Sequence, residues 1–150
     1  MENIFENFTV KILKLNKLVQ KIKNYEMQEY GLKTIHVMCG YYLKIHSDGL
    51  TASELVKLTL EDKAAISRAL KTLQEKGFVS YDPNKYNSVI RLTDEGREFA
   101  DAVCEKADKA VQAGSYHFTE QERISFYNAL GTIANNLEEY YGNLIGKETL

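Results

Sequence analysis

Proline is almost absent from this chain, with one residue in 150, so little in the sequence interrupts long helices. Cysteine is nearly as scarce. Cys39 and Cys104 alone cannot form a disulfide framework or a four-cysteine zinc site. No apolar run approaches the roughly 18–20 residues that cross a bilayer, so no membrane partner is expected. The opening stretch MENIFENFTVKILKLNK alternates polar and apolar groups, whereas a secretory signal sets a solid apolar block behind a basic head. The expected location is the cytoplasm, with both thiols reduced. Also missing are a Gly-rich phosphate loop, a nucleophile motif and a metal-hydrolase helix. The chain is therefore expected not to be an enzyme and to carry no cofactor and no resident metal.

What is present is an ordinary globular composition, 44% hydrophobic and 27% charged, enough for a single domain over 1–150 with a sizeable core. The formal charge of −2 argues against non-specific binding of nucleic acid, but the charges are unevenly placed. Met1 to Leu43 has six Lys/Arg against four Asp/Glu, Lys44 to Arg97 nine against eight, and Glu98 to Leu150 four against nine. The first two thirds can still offer positive charge to a polyanion, because local charge steers association.

The hydrophobic period is helical almost throughout. Ile4, Phe8, Ile12, Leu15, Val19 and Ile22 recur at steps of three and four, the mark of one helix face. Lys11, Lys14, Lys17, Lys21 and Lys23 lie opposite, a solvated basic face or a DNA- or membrane-facing one. A second helix reads from about Lys33 to Ile45, with Ile35, Met38, Cys39, Tyr42 and Leu43 as its apolar set, and stops at His46-Ser47-Asp48-Gly49. Thr51 and Glu54 have capping-box spacing for a short helix, with Leu55, Val56 and Leu58 inward. Thr59-Leu60-Glu61 is a tight break, and Asp62 caps a further helix that Gly77 ends. Ile66, Ala69, Leu70 and Leu73 form its inward face. Beyond Gly77 the period becomes extended. Phe78 to Tyr81 and Ser88 to Leu92 read as a hairpin around Asp82-Pro83-Asn84. A long helix then runs from Thr93 to about Ser115, and a final one starts at the Thr119/Glu122 capping box.

Two helices joined by a tight break and followed at once by a hairpin form a winged helix-turn-helix pattern. The fold class is mainly α with a small β-hairpin wing, the winged region spanning 32–97 between flanking helices at 1–31 and 98–150. The second helix of such a unit needs an outer face of small and basic residues to enter the major groove. Lys63, Ala64, Ser67, Arg68 and Lys71 supply that face, and Lys85 is the cation at the hairpin tip.

ELVKLTLEDKAAISRALKTLQEKGFVSYD, followed by VIRLTDEGREFA, resembles the core of the MarR family of bacterial and archaeal transcriptional regulators. Lys63, Ser67 and Arg68 match the family's Lys-Ser-Thr-Val-Thr-Arg stretch. Glu75-Lys76-Gly77 matches its Glu-Lys-Gly, and Leu92 to Gly96 matches its Leu-Thr-x-x-Gly. The resemblance is tight from about Leu50 to Ala100. In the wing, Asn84-Lys85-Tyr86 stands where the family often has Asp-Arg-Arg. Lysine lacks the planar fork of arginine, so weaker reading of groove shape is expected there.

The resemblance implies a sequence-specific regulator, most simply a repressor released by a small effector, that binds double-stranded DNA at a pseudo-palindromic operator as a homodimer. Terminal helices of two chains would interleave, with Ile4, Phe5, Phe8, Ile12, Ile133, Leu137, Tyr140 and Leu144 as the interface. A monomeric core is the other account of those stripes. Tyr30, His36, Tyr42 and His46 are candidates to hold a small aromatic or phenolic effector, or they are simply amphipathic packing. His36 and Cys39, three apart on one helix, admit a soft metal or plain core packing. The alternative function is a protein-interaction or ligand- or metal-sensing winged-helix module without a DNA target of its own.

Overall fold

The computed structural model is helical along most of the described residues, with one two-stranded sheet among them. The structure describes residues 3–147; the outermost positions of the two flanking helical expectations, 1–2 and 148–150, lie outside the described residues. The chain divides into two compact units, one ending at Ala110 and one beginning at Val111.

In the first unit a π-helical stretch, Phe5–Val10, leads into α1 (Lys11–Met27). The expectation of uninterrupted α-helix from Ile4 is corrected here, since π turns are wider than α turns. A single 3-10 turn, Gln28–Tyr30, and a left-handed Gly31 lead to α2 (Thr34–Ile45). Helix α2 is the centre of the core. Val37, Cys39, Gly40 and Leu43 are all buried along it. Then come α3 (Ala52–Thr59), α4 (Lys63–Glu75), β1 (Val79–Ser80), β2 (Arg91–Leu92) and α5 (Asp94–Gly114). Leu55 of α3 and Ile66, Ala69, Leu70 and Leu73 of α4 are buried against α2, as their spacing predicts. Leu58, expected inward, is 37% exposed, because α3 is one short helix with only Leu55 fully facing the core.

The wing is shorter at its base than the sequence suggests. Only two residue pairs form, Val79 with Leu92 and Ser80 with Arg91. The next residue, Ile90, turns instead to Leu50 before α3, with its N–H donating at 2.8 Å and its carbonyl accepting at 3.1 Å. On the other strand the Tyr81 carbonyl accepts from Gln74 Nε2 of α4 at 2.9 Å. Competing partners thus end the ladder.

Helix α4 ends in a Schellman closure. The N–H of Phe78 donates to Leu73 O and that of Gly77 to Gln74 O, both at 2.9 Å. This needs a left-handed residue at Gly77, which has φ 76°, a conformation that glycine adopts without a Cβ penalty. Thr93 then fastens the wing to this turn. Its N–H donates to Phe78 O at 3.1 Å and its hydroxyl to Gly77 O at 2.6 Å. The same hydroxyl accepts from Gly96 N at 3.0 Å, capping α5.

The second unit carries the Thr119/Glu122 capping box, in which Glu122 Oε2 accepts from Thr119 N and Oγ1 at 2.8 Å each. It opens α6 (Glu120–Lys147).

Gly96 has no room for a side chain, since a Cβ there would stand 1.8 Å from Phe78 O. Gly96→Ala is expected to cost at least about 2 kcal/mol, because backbone must move to relieve the overlap. Gly114→Ala, with open space around it, should show no comparable loss. Urea unfolding of the two variants checks this; equal stability would contradict the close-approach account.

Candidate nucleic-acid interface

Two helix starts set the helix-turn-helix. Thr51 caps α3 reciprocally with Glu54, whose Oε2 accepts from Thr51 N at 2.7 Å and from its hydroxyl at 2.8 Å. Those donors hold the Glu54 carboxyl below its usual pKa. The break between the helices is made by Leu60, left-handed at φ 57°. Asp62 then caps α4 by accepting from Ala65 N at 2.7 Å, satisfying a first-turn donor.

These caps fix the rotation of α4. With Ile66, Ala69, Leu70 and Leu73 turned into the core, Lys63, Ala64, Ser67, Arg68 and Lys71 are all exposed. Neither Lys63 nor Arg68 enters an ion pair among the described residues. Lys71 stands 4.0 Å from Glu75 with both side chains well exposed, a contact of little energetic consequence. The outer face of α4 is therefore cationic and sterically low.

The wing tip is a pair of consecutive turns. Lys85 N–H donates to Asp82 O at 3.3 Å, and Ser88 N–H donates to Lys85 O at 3.2 Å. Asp82 reinforces both through its side chain, which accepts from Asn84 N at 2.9 Å, and its N–H, which donates to Ser88 Oγ at 2.9 Å. Lys85 is exposed at this tip, and so is its neighbour Tyr86. Gln74, which ties α4 to the wing strand, was not singled out by the sequence, since no spacing rule flags a side chain aimed at a strand carbonyl.

The four effector candidates sit in different surroundings. Tyr30 lies edge-on to Phe99 at 5.7 Å, and Phe99 stacks on Phe78 at 4.6 Å. Lys106 caps the outer face of Tyr30 at 5.8 Å and pairs with Glu29 at 3.0 Å. An open depression beside it is lined by Tyr25, Glu26, Gln28, Glu29 and Lys106. Tyr42 packs edge-on against Tyr41 at 5.3 Å, and His46 is exposed. His36 is buried, and its Nδ1 accepts from Lys33 N at 2.9 Å as part of the α2 cap. Burial lowers its pKa. Burial also pushes the Cys39 thiol up to about 12, so it stays protonated and unreactive.

No family model matches the chain. It is 30% identical over 99 residues to the HTH-type transcriptional regulator YdgJ of Bacillus subtilis, a stretch taking in 63% of this chain and 60% of that protein. The chain thus spans less than two thirds of that relative's length. In structure it is similar to a MarR protein from Peptoclostridium difficile, with TM-score 0.82, 18% identity, and 96% and 95% of the two chains covered. A MarR-family regulator from Listeria monocytogenes, solved in complex with a 26mer DNA, superposes with TM-score 0.75 and 22% identity, covering 93% of this chain and 91% of that one. A capped helix-turn-helix with a cationic second helix, a fastened wing and long helices before and after it is the fold of the MarR-family transcriptional regulators, and this chain has that fold.

Proposed function

We propose that the chain is a sequence-specific DNA-binding transcriptional regulator that acts as a homodimer. The observation that carries this reading is the outer face of α4, where Lys63, Ser67, Arg68 and Lys71 stand exposed around the small Ala64. Such a face fits the major groove and donates to base edges and phosphates. Arg68 is the base-reading residue, with Lys63, Ser67 and Lys71 in groove and backbone contacts and Lys85 on a phosphate beside the wing.

The dimer is supported by apolar surface that each unit leaves uncovered. In the first, Ile4 is 80% and Phe5 66% exposed. In the second, no described residue of α6 is buried, and Leu137 is 50%, Tyr140 62% and Leu144 45% exposed. Contiguous apolar faces on this scale call for a partner, and a second copy using the same residues gives a closed two-fold assembly. Two recognition helices would then meet half-sites about 10 base pairs apart. Leu137→Asp should shift the protein to monomer in light scattering and weaken operator binding with it. An unchanged dimer mass would remove α6 from the interface.

The simplest mode of action is repression relieved by a small aromatic or phenolic effector near Tyr30, His36, Tyr42 and His46. Tyr30 supports this reading best, since Phe99 and Phe78 connect its ring to the turn that ends α4. Salicylate, used as a phenolic probe, should lower operator affinity of the wild type but not of Tyr30→Ala. Equal release of both proteins would contradict a role for Tyr30.

The test of the reading as a whole is selection of host genomic fragments by the purified protein at physiological salt. A two-fold symmetric site should emerge. Arg68→Ala should then cost about 1–3 kcal/mol on that site. Lys85→Ala should weaken all sequences alike and lower the salt slope by about one. A folded, dimeric protein that enriches no sequence would overturn the regulator reading in favour of an interaction or sensing module.

A further inference from the structure

Of the three methionines in the chain, the two within the described residues have opposite surroundings. Met27, at the end of α1, is 2% exposed in the core. Met38, on α2, is only half-buried, and its sulfur accepts a hydrogen bond from Lys23 Nζ of α1 at 3.3 Å. Lys23 belongs by spacing to the basic face of α1. Lys11, Lys14, Lys17 and Lys21 of that face are exposed, whereas Lys23 is half-buried against α2. It forms no ion pair among the described residues. A lysine withdrawn from water is usually paired with a carboxylate, but this one meets a thioether. Burial lowers its pKa, which makes the ammonium a stronger acid than a solvated lysine. The adjoining residue fixes the pair in place. Asn24 Oδ1 accepts from Thr34 N and Oγ1 at 3.1 Å each, fastening the start of α2 to α1, and Met38 lies one turn beyond Thr34.

From this geometry we propose that Met38 is an oxidation site, converted to the sulfoxide by hydrogen peroxide with Lys23 as the proton donor. The proposal is independent of the DNA-binding reading. A sulfur lone pair attacks one peroxide oxygen, and the O–O bond breaks. The departing hydroxide takes a proton from the Lys23 ammonium and leaves as water. The amine then recovers a proton from the hydroxyl now on sulfur, so the product is the neutral sulfoxide. Sulfur has lost two electrons, and the peroxide has been reduced to water with its other oxygen retained on sulfur. Lys23 goes on to donate to the sulfoxide oxygen, a better acceptor than a thioether. Oxidation thus sets a polar oxygen into the contact between α1 and α2. The adjacent Cys39 does not compete, since its thiol is buried and pushed up to about 12, and the thiolate is the reactive form. Because Lys23 lies to one side of the sulfur, it distinguishes the two lone pairs, and one sulfoxide epimer predominates.

The test is mass spectrometry of the whole protein, digested after exposure to hydrogen peroxide, with fragment ions that separate Met38 from Cys39. Met38 should gain one oxygen under conditions that leave Met27 intact. Lys23→Leu should slow the reaction at Met38 at least about tenfold, less than the full effect of a positioned acid because water also supplies protons. Lys23→Gln, which keeps a hydrogen-bond donor but has no proton to give up, should be slow as well. Both variants should keep the wild-type circular dichroism spectrum, since each removes a half-buried charge that no carboxylate pairs. Methionine sulfoxide reductases A and B each repair one epimer. One of the two should restore most of the oxidised wild type, whereas oxidised Lys23→Leu should need both. Oxidation of Met38 no faster than that of Met27 would overturn the proposal. So would an equal or faster rate in the two Lys23 variants, which would make the lysine a mere shield, or equal repair of the wild type by both reductases.

Discussion

The end of α4, the base of the wing and the start of α5 are held together at one close approach, that of Gly96 to the carbonyl of Phe78. At that point the end of α4, the base of the wing and the start of α5 share a few atoms. Phe78 O accepts from Thr93 N at 3.1 Å, Gly77 O accepts from the Thr93 hydroxyl at 2.6 Å, and that hydroxyl accepts in turn from Gly96 N at 3.0 Å. A side chain at position 96 would force these groups apart. The physical content of the Leu-Thr-x-x-Gly signature is therefore a joint, with threonine as a two-way hydrogen-bonding pin and glycine as the clearance. The joint does not stop at the backbone. The Phe78 ring stacks on Phe99 of α5, and Phe99 meets Tyr30 at the end of the turn after α1. Further along, α5 is tied to α2 by Lys44 and Asp101 at 2.8 Å. A displacement of α5 would therefore reach α4 and the wing together.

Electrostatics act locally here. The total charge is −2, yet the face of α4 set outward by the Asp62 cap is cationic. The ion pairs elsewhere are exposed, and pairs of that kind add little stability. Burial and helix capping place the charges. This ordering explains how an acidic chain can present a basic face. The excess of Asp and Glu lies beyond Glu98, in α5, α6 and the residues after them, away from the helix-turn-helix in sequence.

Much of this was legible in the chain. The capping boxes at Thr51/Glu54 and Thr119/Glu122, the Asp62 cap and the Gly77 stop are local chemistry, decided within four residues, and local chemistry is what a sequence states openly. The inward set of α4 followed from its period, and with it the exposure of Lys63, Ser67, Arg68 and Lys71. What was not legible is long-range. The π-helical start at Phe5–Val10 has no composition mark. The wing ladder is cut short because Ile90 pairs with Leu50, forty residues away, and because Gln74 takes the Tyr81 carbonyl. Val37 is buried outside the apolar set that the spacing picks out, because the buried residues of α2, His36, Val37, Cys39, Gly40 and Leu43, follow no single stripe. The tyrosines were visible, but which of them face solvent is a tertiary property.

The wing shows how much that last property changes the chemistry of recognition. A cationic tip gains affinity by displacing counterions, a gain shared by every sequence and eroded by salt. In this chain Lys85 stands exposed on a tip whose backbone is held by two consecutive turns. The consecutive turns under it matter as much as the side chain. A loop that had to be ordered on binding would forfeit conformational entropy of about 1–2 kcal/mol per residue, comparable with the contact itself. Here the hydrogen bonds of Asp82 and Ser88 already hold the tip in order, so that cost does not fall on association.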